Sequence, residues 1–461
     1  MEFLRNSNLS AGQAAPSVRG VVTQMTPESL GRFDVVVVGS GAAGSTAAIA
    51  AARGGASTLL IEKLPFLGGN STAVLDTFYG FYTPGERAAK VVAGIGDDVV
   101  DGLRRLGKVV ERPNTYGAGT GVTYLAEHLK VVWESLVTGA GARVLLHSFV
   151  QDAGVEDGRV RRLVVATKAG LRMVDATVVI DATGDADVCH HAGFSYELAG
   201  DIDPAQTLTT TFRMANVDHD RRKSISKDEL HALMAEAAES GEYDLPRREG
   251  SDHITPVDGV TATVMTRLDH VERSPGGDVV NATDPEVLSH AEIEGRRQAL
   301  EYARFLVDRV PGYEHAALIV LSSQIGMRET RRVYGDYRVT REDVLSARQF
   351  EDQIGLCGAP IEDHVPGTAT RWEYLPAGSA VGIPLASLVH RDGVNVLAPG
   401  RCFSATHDAQ ASIRSMAQCM AMGQAAGTVG ALAAEGDGRV RAVGFDRVRD
   451  RLLADGAILG L

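Results

Sequence analysis

At 461 residues the chain is about three times the usual ~150-residue domain, so more than one full-sized core is expected. The 44% apolar and 23% charged fractions are those of an ordinary globular protein, and a formal charge of -13 repels phosphate backbones and anionic headgroups, which argues against nucleic-acid and membrane partners. The four cysteines (Cys189, Cys357, Cys402 and Cys419) are scattered without a C-x-x-C pair, which points to reduced thiols in a cytoplasmic protein and to no metal site.

Residues 1–32 lack the ~7 to 15-residue apolar core of a secretion signal and read as an N-terminal extension. Phe33 to Val38 is a β-branched run expected as a strand buried on both faces of a parallel sheet. Gly39-Ser40-Gly41-Ala42-Ala43-Gly44 follows it directly and opens an alanine-rich helix, Ser45 to Arg53, closed by Gly54-Gly55. Ser57 to Ile61 returns as a second strand, so the first 62 residues hold a β-α-β unit. In this G-x-G-x-x-G, Gly39 permits the turn, Gly41 lets the backbone approach a pyrophosphate and Gly44 lets helix and strand close up. Glu62, 18 residues after Gly44, is placed to accept both hydroxyls of a ribose, and an acid there disfavours a 2′-phosphate.

Arg143 to Phe149, Arg159 to Thr167 and Arg172 to Ile180 read as a small antiparallel meander, turned at Asp157-Gly158 and Ala169-Gly170. Gly117 to Gly121 follows Arg112-Pro113-Asn114 rather than a strand, so it reads as a loop and not as a second dinucleotide fingerprint. Mixed strands and helices over residues 206–380 mark a substrate or cap domain. Val394 to Ala398 is another expected buried strand. Ser415 to Ala434 is apolar, but its glutamines and glycines suit a closely packed buried helix better than a bilayer span. The expected fold class is therefore α/β: a Rossmann-type nucleotide domain formed by residues 33–205 and 381–461, with an inserted α+β domain.

Glu62-Lys63 with Leu67-Gly68-Gly69-Asn70-Ser71, and Ile180-Asp181-Ala182-Thr183-Gly184-Asp185 after the meander, resemble the glutathione-reductase-like flavoproteins. Gly326-Met327-Arg328-Glu329-Thr330-Arg331-Arg332, Gly335-Asp336-Tyr337 and Ala398-Pro399-Gly400-Arg401-Cys402-Phe403-Ser404-Ala405-Thr406-His407 narrow the likeness to the FAD-dependent oxidoreductase family, distantly related to fumarate reductase and succinate dehydrogenase flavoproteins. The resemblance implies an FAD site. Its first part is Gly39, Gly41, Ala43, Gly44, Glu62 and Lys63; Gly69, Asn70 and Ser71 run along the flavin; Asp181, Thr183 and Gly184 complete the turn; Gly400, Arg401 and Arg414 come from the C-terminal segment. It also implies that a helix beginning near Ala411 aims its N-terminus at the flavin. No histidine lies between Gly68 and Asp76, where related respiratory flavoproteins link FAD covalently, so non-covalent FAD is expected.

His407 is the first choice for catalytic acid or base, since imidazole titrates near neutrality. Arg328 and Arg331, with Arg414, are candidates for holding an anionic group of a small-molecule substrate, against the alternative of an ion-pair network with neighbouring acids. Tyr79, Tyr82 and His364 are further candidates for the pocket wall. The expected activity is a dehydrogenase or oxidase passing a hydride between substrate and FAD, with oxygen, NAD(P) or a carrier as the other partner and a homo-oligomer left open. A flavin monooxygenase or NAD(P)H-using FAD reductase is the enzyme alternative, and an FAD-binding scaffold the non-enzyme one.

Overall fold

The computed structural model describes residues 27–461 except Asp76, Asn114, Tyr116, Ala118, Gly119 and Thr368. β1 (Glu28–Val38) lies between two parallel neighbours, and its valines alternate between the two cores of the sheet: Val35 and Val37 in one, Val36 and Val38 in the other. That double burial explains the unbroken β-branched run, each fully buried valine contributing about 1.5–3 kcal/mol. The strand starts earlier than the expected Phe33: Glu28, Ser29 and Arg32 already pair with a neighbouring strand, so residues 28–32 belong to the sheet rather than to an extension, of which residues 1–26 lie outside the described residues.

α1 (Ala42–Arg53) leads to β2 (Thr58–Ile61), parallel to β1. β3 (Arg143–Leu145) extends the parallel sheet beyond β2, so it does not belong to the meander where the sequence pattern put it. The meander is β4 (Phe149–Glu156), β5 (Arg159–Thr167) and β6 (Gly170–Asp181). Asp157 and Gly158, at φ +49° and +72°, make its first turn as expected; the second is Lys168-Ala169, because Thr167 pairs with Gly170. β6 is long enough to pair antiparallel with β5 and also parallel with β1, giving the order β3-β2-β1-β6-β5-β4.

A second sheet is built from β7 (Phe212–Ala215), β8 (Ser251–Ile254), β9 (Thr261–Val264) and β10 (Ala317–Leu321), packed with α2 (Pro285–Arg309). Its core runs from Phe212 to Tyr313. Val339, Val344, Ile354 and Leu356 join the core of the parallel sheet instead, and residues 353–357 pair with 381–384. The separate core therefore stops well short of the expected boundary at 380. Of the Gly117–Gly121 run, Ala118 and Gly119 lie outside the described residues, and Gly121 opens a short strand.

β11 (Val396–Leu397) returns to the main sheet beside β6, ahead of α3 (His407–Ile413) and α4 (Met416–Ala434). α4 lies on α1 with backbones almost touching, since a Cβ at Gly423 would come 2.0 Å from the Ala43 carbonyl oxygen and one at Gly427 2.2 Å from that of Ala47. Its glycines and alanines thus serve close packing. No helix among the described residues is long and apolar enough to cross a membrane. The architecture is a mixed α/β fold around a largely parallel sheet.

Candidate active site

Two cavities adjoin at the carboxyl ends of β1 and β6, where an open parallel sheet presents its loops. The first is bounded by the glycine turn. Gly39 takes φ +89°, and a Cβ there would sit 2.5 Å from the Ala182 carbonyl oxygen; one at Gly44 would sit 1.8 Å from that of Gly39. At Gly41 a Cβ would meet no protein atom within 4 Å. Gly41 is thus spared for a ligand, and no side chain caps α1, whose N-terminal amides stay available to an anion. This cradle fits the diphosphate of a dinucleotide.

Of the fifteen expected cofactor residues, thirteen border this cavity; Gly44 and Asp181 do not. Gly44 closes α1 onto the turn. Asp181 is fully buried behind the wall, where one carboxylate oxygen accepts from the Thr183 amide and hydroxyl (3.2 and 2.7 Å) and the other from the Cys189 amide (2.9 Å). It shapes the turn instead of touching a ligand. Glu62 borders the cavity, yet it already accepts from the Ser40 amide and hydroxyl, 2.7 Å each, and from the Leu64 amide at 2.8 Å. Since a carboxylate has about four acceptor positions, it has room for one ribose hydroxyl rather than two.

Arg401 Nη2 donates to Asp185 Oδ1 at 2.5 Å inside the wall. Burial raises the Asp185 carboxyl, but the charges of Arg401 and Lys63 outweigh it and hold the group below its ordinary value. Asp187 behaves oppositely: burial, then Asp185 and Asp181, push it up to about 6.

The second cavity, about 580 Å³, shares Asn70, Met327, Arg401, Arg414 and Met416 with the first. The expected single helix near Ala411 is broken at Arg414-Ser415, which puts the uncapped N-terminus of α4, with Ser415 and Met416, at this junction. Arg328 borders the second cavity, its Nη1 donating to the Thr207 carbonyl (2.8 Å) and the Thr209 hydroxyl (2.7 Å). Arg414 donates to Gln206 Oε1 at 2.9 Å.

Two other candidates lie elsewhere. Arg331 is turned away, donating to the Asp185 carbonyl and to Asp187 Oδ1 (2.9 and 3.0 Å), an ion pair but with none of the expected acids Glu329, Asp336, Glu342 and Asp343. His407 borders neither cavity: Nδ1 lies 3.0 Å from Glu329 Oε2 and Nε2 3.0 Å from Asp363 Oδ1, with all three side chains buried. An imidazole engaged at both nitrogens behind the wall has no atom left for a substrate proton. Tyr79 and His364 do border the second cavity, whereas Tyr82 donates to Glu111 away from it.

The same wall carries Arg112, Lys227, Arg247, Glu249, His253 and Glu362, which the sequence reading missed. They come from five different segments, Arg247 and Glu249 sharing one, and no local pattern marks them.

The family model described as FAD dependent oxidoreductase matches residues 34–452. A fumarate reductase (cytochrome) of Shewanella frigidimarina is 47% identical over 58 residues, 13% of this chain and 10% of that protein. A digeranylgeranylglycerophospholipid reductase of Thermoplasma acidophilum is 31% identical over 201 residues, 41% of this chain and 48% of that protein. The chain thus spans half or less of the length of these relatives. Among solved structures, a geranylgeranyl bacteriochlorophyll reductase-like protein of Thermoplasma acidophilum overlays 93% of this chain and 88% of its own, at TM-score 0.43 and 15% identity.

Proposed function

The chain belongs to the FAD-dependent oxidoreductase family and is an FAD-binding enzyme, and on that premise we propose that it oxidises or reduces a small organic anion held in the second cavity. One observation carries this reading. Arg112, Lys227, Arg247, Arg328 and Arg414 all border that cavity, and among the described residues no carboxylate comes within 4.0 Å of their charged nitrogens. Lys227 is exposed at the rim, but the four arginines are buried or half-buried, and enclosed positive charge is costly unless something pairs with it. Burial, then Arg414 and Arg247, push Arg328 down to about 9; burial, then Arg267, pushes Arg247 down to about 10. Of the five, only Arg414 also borders the first cavity, so the cofactor's own diphosphate does not discharge them.

In this reading the amides of Gly41, Ala42 and Ala43 hold the FAD diphosphate, those of Gly39 and Ser40 being taken up by Ile61 and Glu62, while Glu62 holds a ribose hydroxyl and Asn70, Met327, Arg401 and Met416 form the boundary between cofactor and substrate. FAD, when bound, supplies the hydride acceptor or donor. Arg328 and Arg414 fix the substrate's anionic group beside that boundary by charge-assisted hydrogen bonds. His364, which borders the cavity as His407 does not, handles the proton: Nε2 lies 2.9 Å from Glu362 Oε1, which orients the ring, and Nδ1 meets only the Thr370 hydroxyl at 3.2 Å, a neutral rotatable group that can yield to a substrate proton where the two carboxylates on His407 cannot. The domain arrangement that goes with this is a glutathione-reductase-like, non-covalent FAD domain interrupted by a substrate domain whose core spans residues 212–313. Four buried free cysteines support a cytoplasmic setting.

Titrating the FAD-loaded protein with small carboxylic acids and their neutral amides, read by the flavin difference spectrum, tests the proposal. Acids are expected to bind and amides not, and Arg328→Met should weaken acid binding about 30-fold, the lower end of the ~2–5 kcal/mol for losing one side of a buried charge pair, with FAD content kept. Equal binding of acid and amide would overturn it.

A further inference from the structure

We propose that the ligand of this cavity is an elongated dianion, one charged group at Arg328 and Arg414 beside the cofactor boundary and the other at Arg112 and Lys227 on the far wall. The proposal rests on the anion reading above and adds to it a second charge and a length. The two cation groups stand on different parts of the fold. Arg328 and Arg414 adjoin Met327 and Met416, which border both cavities. Lys227 opens the helix Lys227–Glu239 beside the second sheet, and Arg112 ends the strand Val110–Arg112; neither borders the first cavity.

Their electrostatic surroundings are separate too. Arg328 feels chiefly Arg414, Arg247, Glu362 and Arg267. His253, beside the far group, is pushed down to about 4 by burial, then by Arg112, Arg213 and Lys227, against the opposing charge of Asp252, so it stays neutral. Asp252 does not discharge the far group, because it is taken up by Arg222 at 2.6 and 2.8 Å and by the Tyr313 hydroxyl at 2.8 Å. Arg112 donates from Nη2 to the Thr77 hydroxyl at 3.3 Å, while its buried Nε has no partner.

A compact diacid would leave most of about 580 Å³ unfilled. Val74 and the stacked pair Trp372 and Tyr374, ring centroids 6.4 Å apart and planes 16° from parallel, add apolar wall for a carbon spacer.

The test is a binding series on FAD-loaded protein: straight-chain dicarboxylates from succinate to sebacate, and the monocarboxylate of each length, followed by flavin difference spectra and calorimetry. Diacids longer than succinate are expected to bind tightest and to exceed the matching monoacid about tenfold or more. Arg112→Met and Lys227→Met should each bring the diacid towards the monoacid's affinity, with FAD content reporting that the variants fold. The proposal is overturned by diacids that bind no better than monoacids, by an optimum at succinate, or by a diacid advantage intact in both variants. Should neither kind of acid bind, the anion reading itself fails. Monoacid binding without a diacid advantage sinks only the inference made here.

Discussion

His407 and Glu329 face each other at 3.0 Å, Nδ1 to Oε2, in an interior that neither cavity reaches, with Arg332 pairing the same carboxylate from the other side. Removing the imidazole strips one partner from Glu329 and another from Asp363, both buried. His407→Ala should therefore lower stability by about 2–3 kcal/mol in urea unfolding, while turnover per FAD-loaded molecule stays within a few-fold. A turnover loss of about 100-fold with unchanged stability would make His407 a proton-transfer residue after all.

The glycine turn separates binding from folding. Gly41 has φ −58° and open space before it, so Gly41→Val should fold with wild-type thermal stability in the FAD-free state and yet retain no flavin, read as the 450 nm to 280 nm absorbance ratio. Gly44→Ala should fail differently. Its methyl would overlap the Gly39 carbonyl at 1.8 Å, and the apoprotein itself should lose about 1–3 kcal/mol or more. A yellow, folded Gly41→Val protein would misplace the diphosphate.

Burial, then the charges of Arg328, Arg247 and Arg414, hold the His364 imidazole well below its ordinary value. If its neutral form accepts the proton, kcat/KM should stay level as pH falls from about 8 to about 6.5 and drop only in more acid solution. Arg328→Met removes one of the charges that oppose protonation, so its acid limb should move to higher pH. An acid limb at or above about pH 6.5 in the wild type would exclude His364 as the base.

Asp187 ties the cofactor cavity to stability. The unfolded chain releases this proton near 3.8 and the folded chain near 6, so folding loses ground as pH rises through that window, and stability falls by about 3 kcal/mol in all. FAD-free Asp187→Asn should match the wild type near pH 4 and be the more stable protein above about pH 7, less what its contact with Arg331 contributes. Unfolding curves at the two pH values decide it: a gap that does not widen with pH would contradict the raised value.

The nucleotide cradle was legible because its chemistry is local. Strand, turn and helix lie within residues 28–53, and the glycines act on atoms of their own turn or of the one strand beside it. Glu62 was found by spacing, but its acceptor capacity was overestimated, since the hydroxyl and amide of Ser40 were not counted as competitors. The meander was misjudged at β3, three residues whose apolar pattern suits a parallel edge strand and a hairpin strand equally.

Arg328 and Arg331 stand three residues apart in one motif, yet one borders the second cavity and the other reaches Asp187. The chain bends at Thr330 before the strand Arg331–Val333 begins, so the two side chains leave in different directions, a geometry the charges alone do not reveal. His407 precedes α4 as the pattern implied, but its ring is held by partners 78 and 44 residues away in sequence.

By itself, then, the order of residues determined that a diphosphate cradle forms after Val38 and that a flavoenzyme fold is built around it, because glycine geometry and strand burial are near-neighbour properties. Tertiary structure alone decided what stands opposite the cofactor. Whether a buried arginine is spent on a protein carboxylate or left for a ligand depends on segments from Arg112 to Arg414 that meet only when the chain is folded.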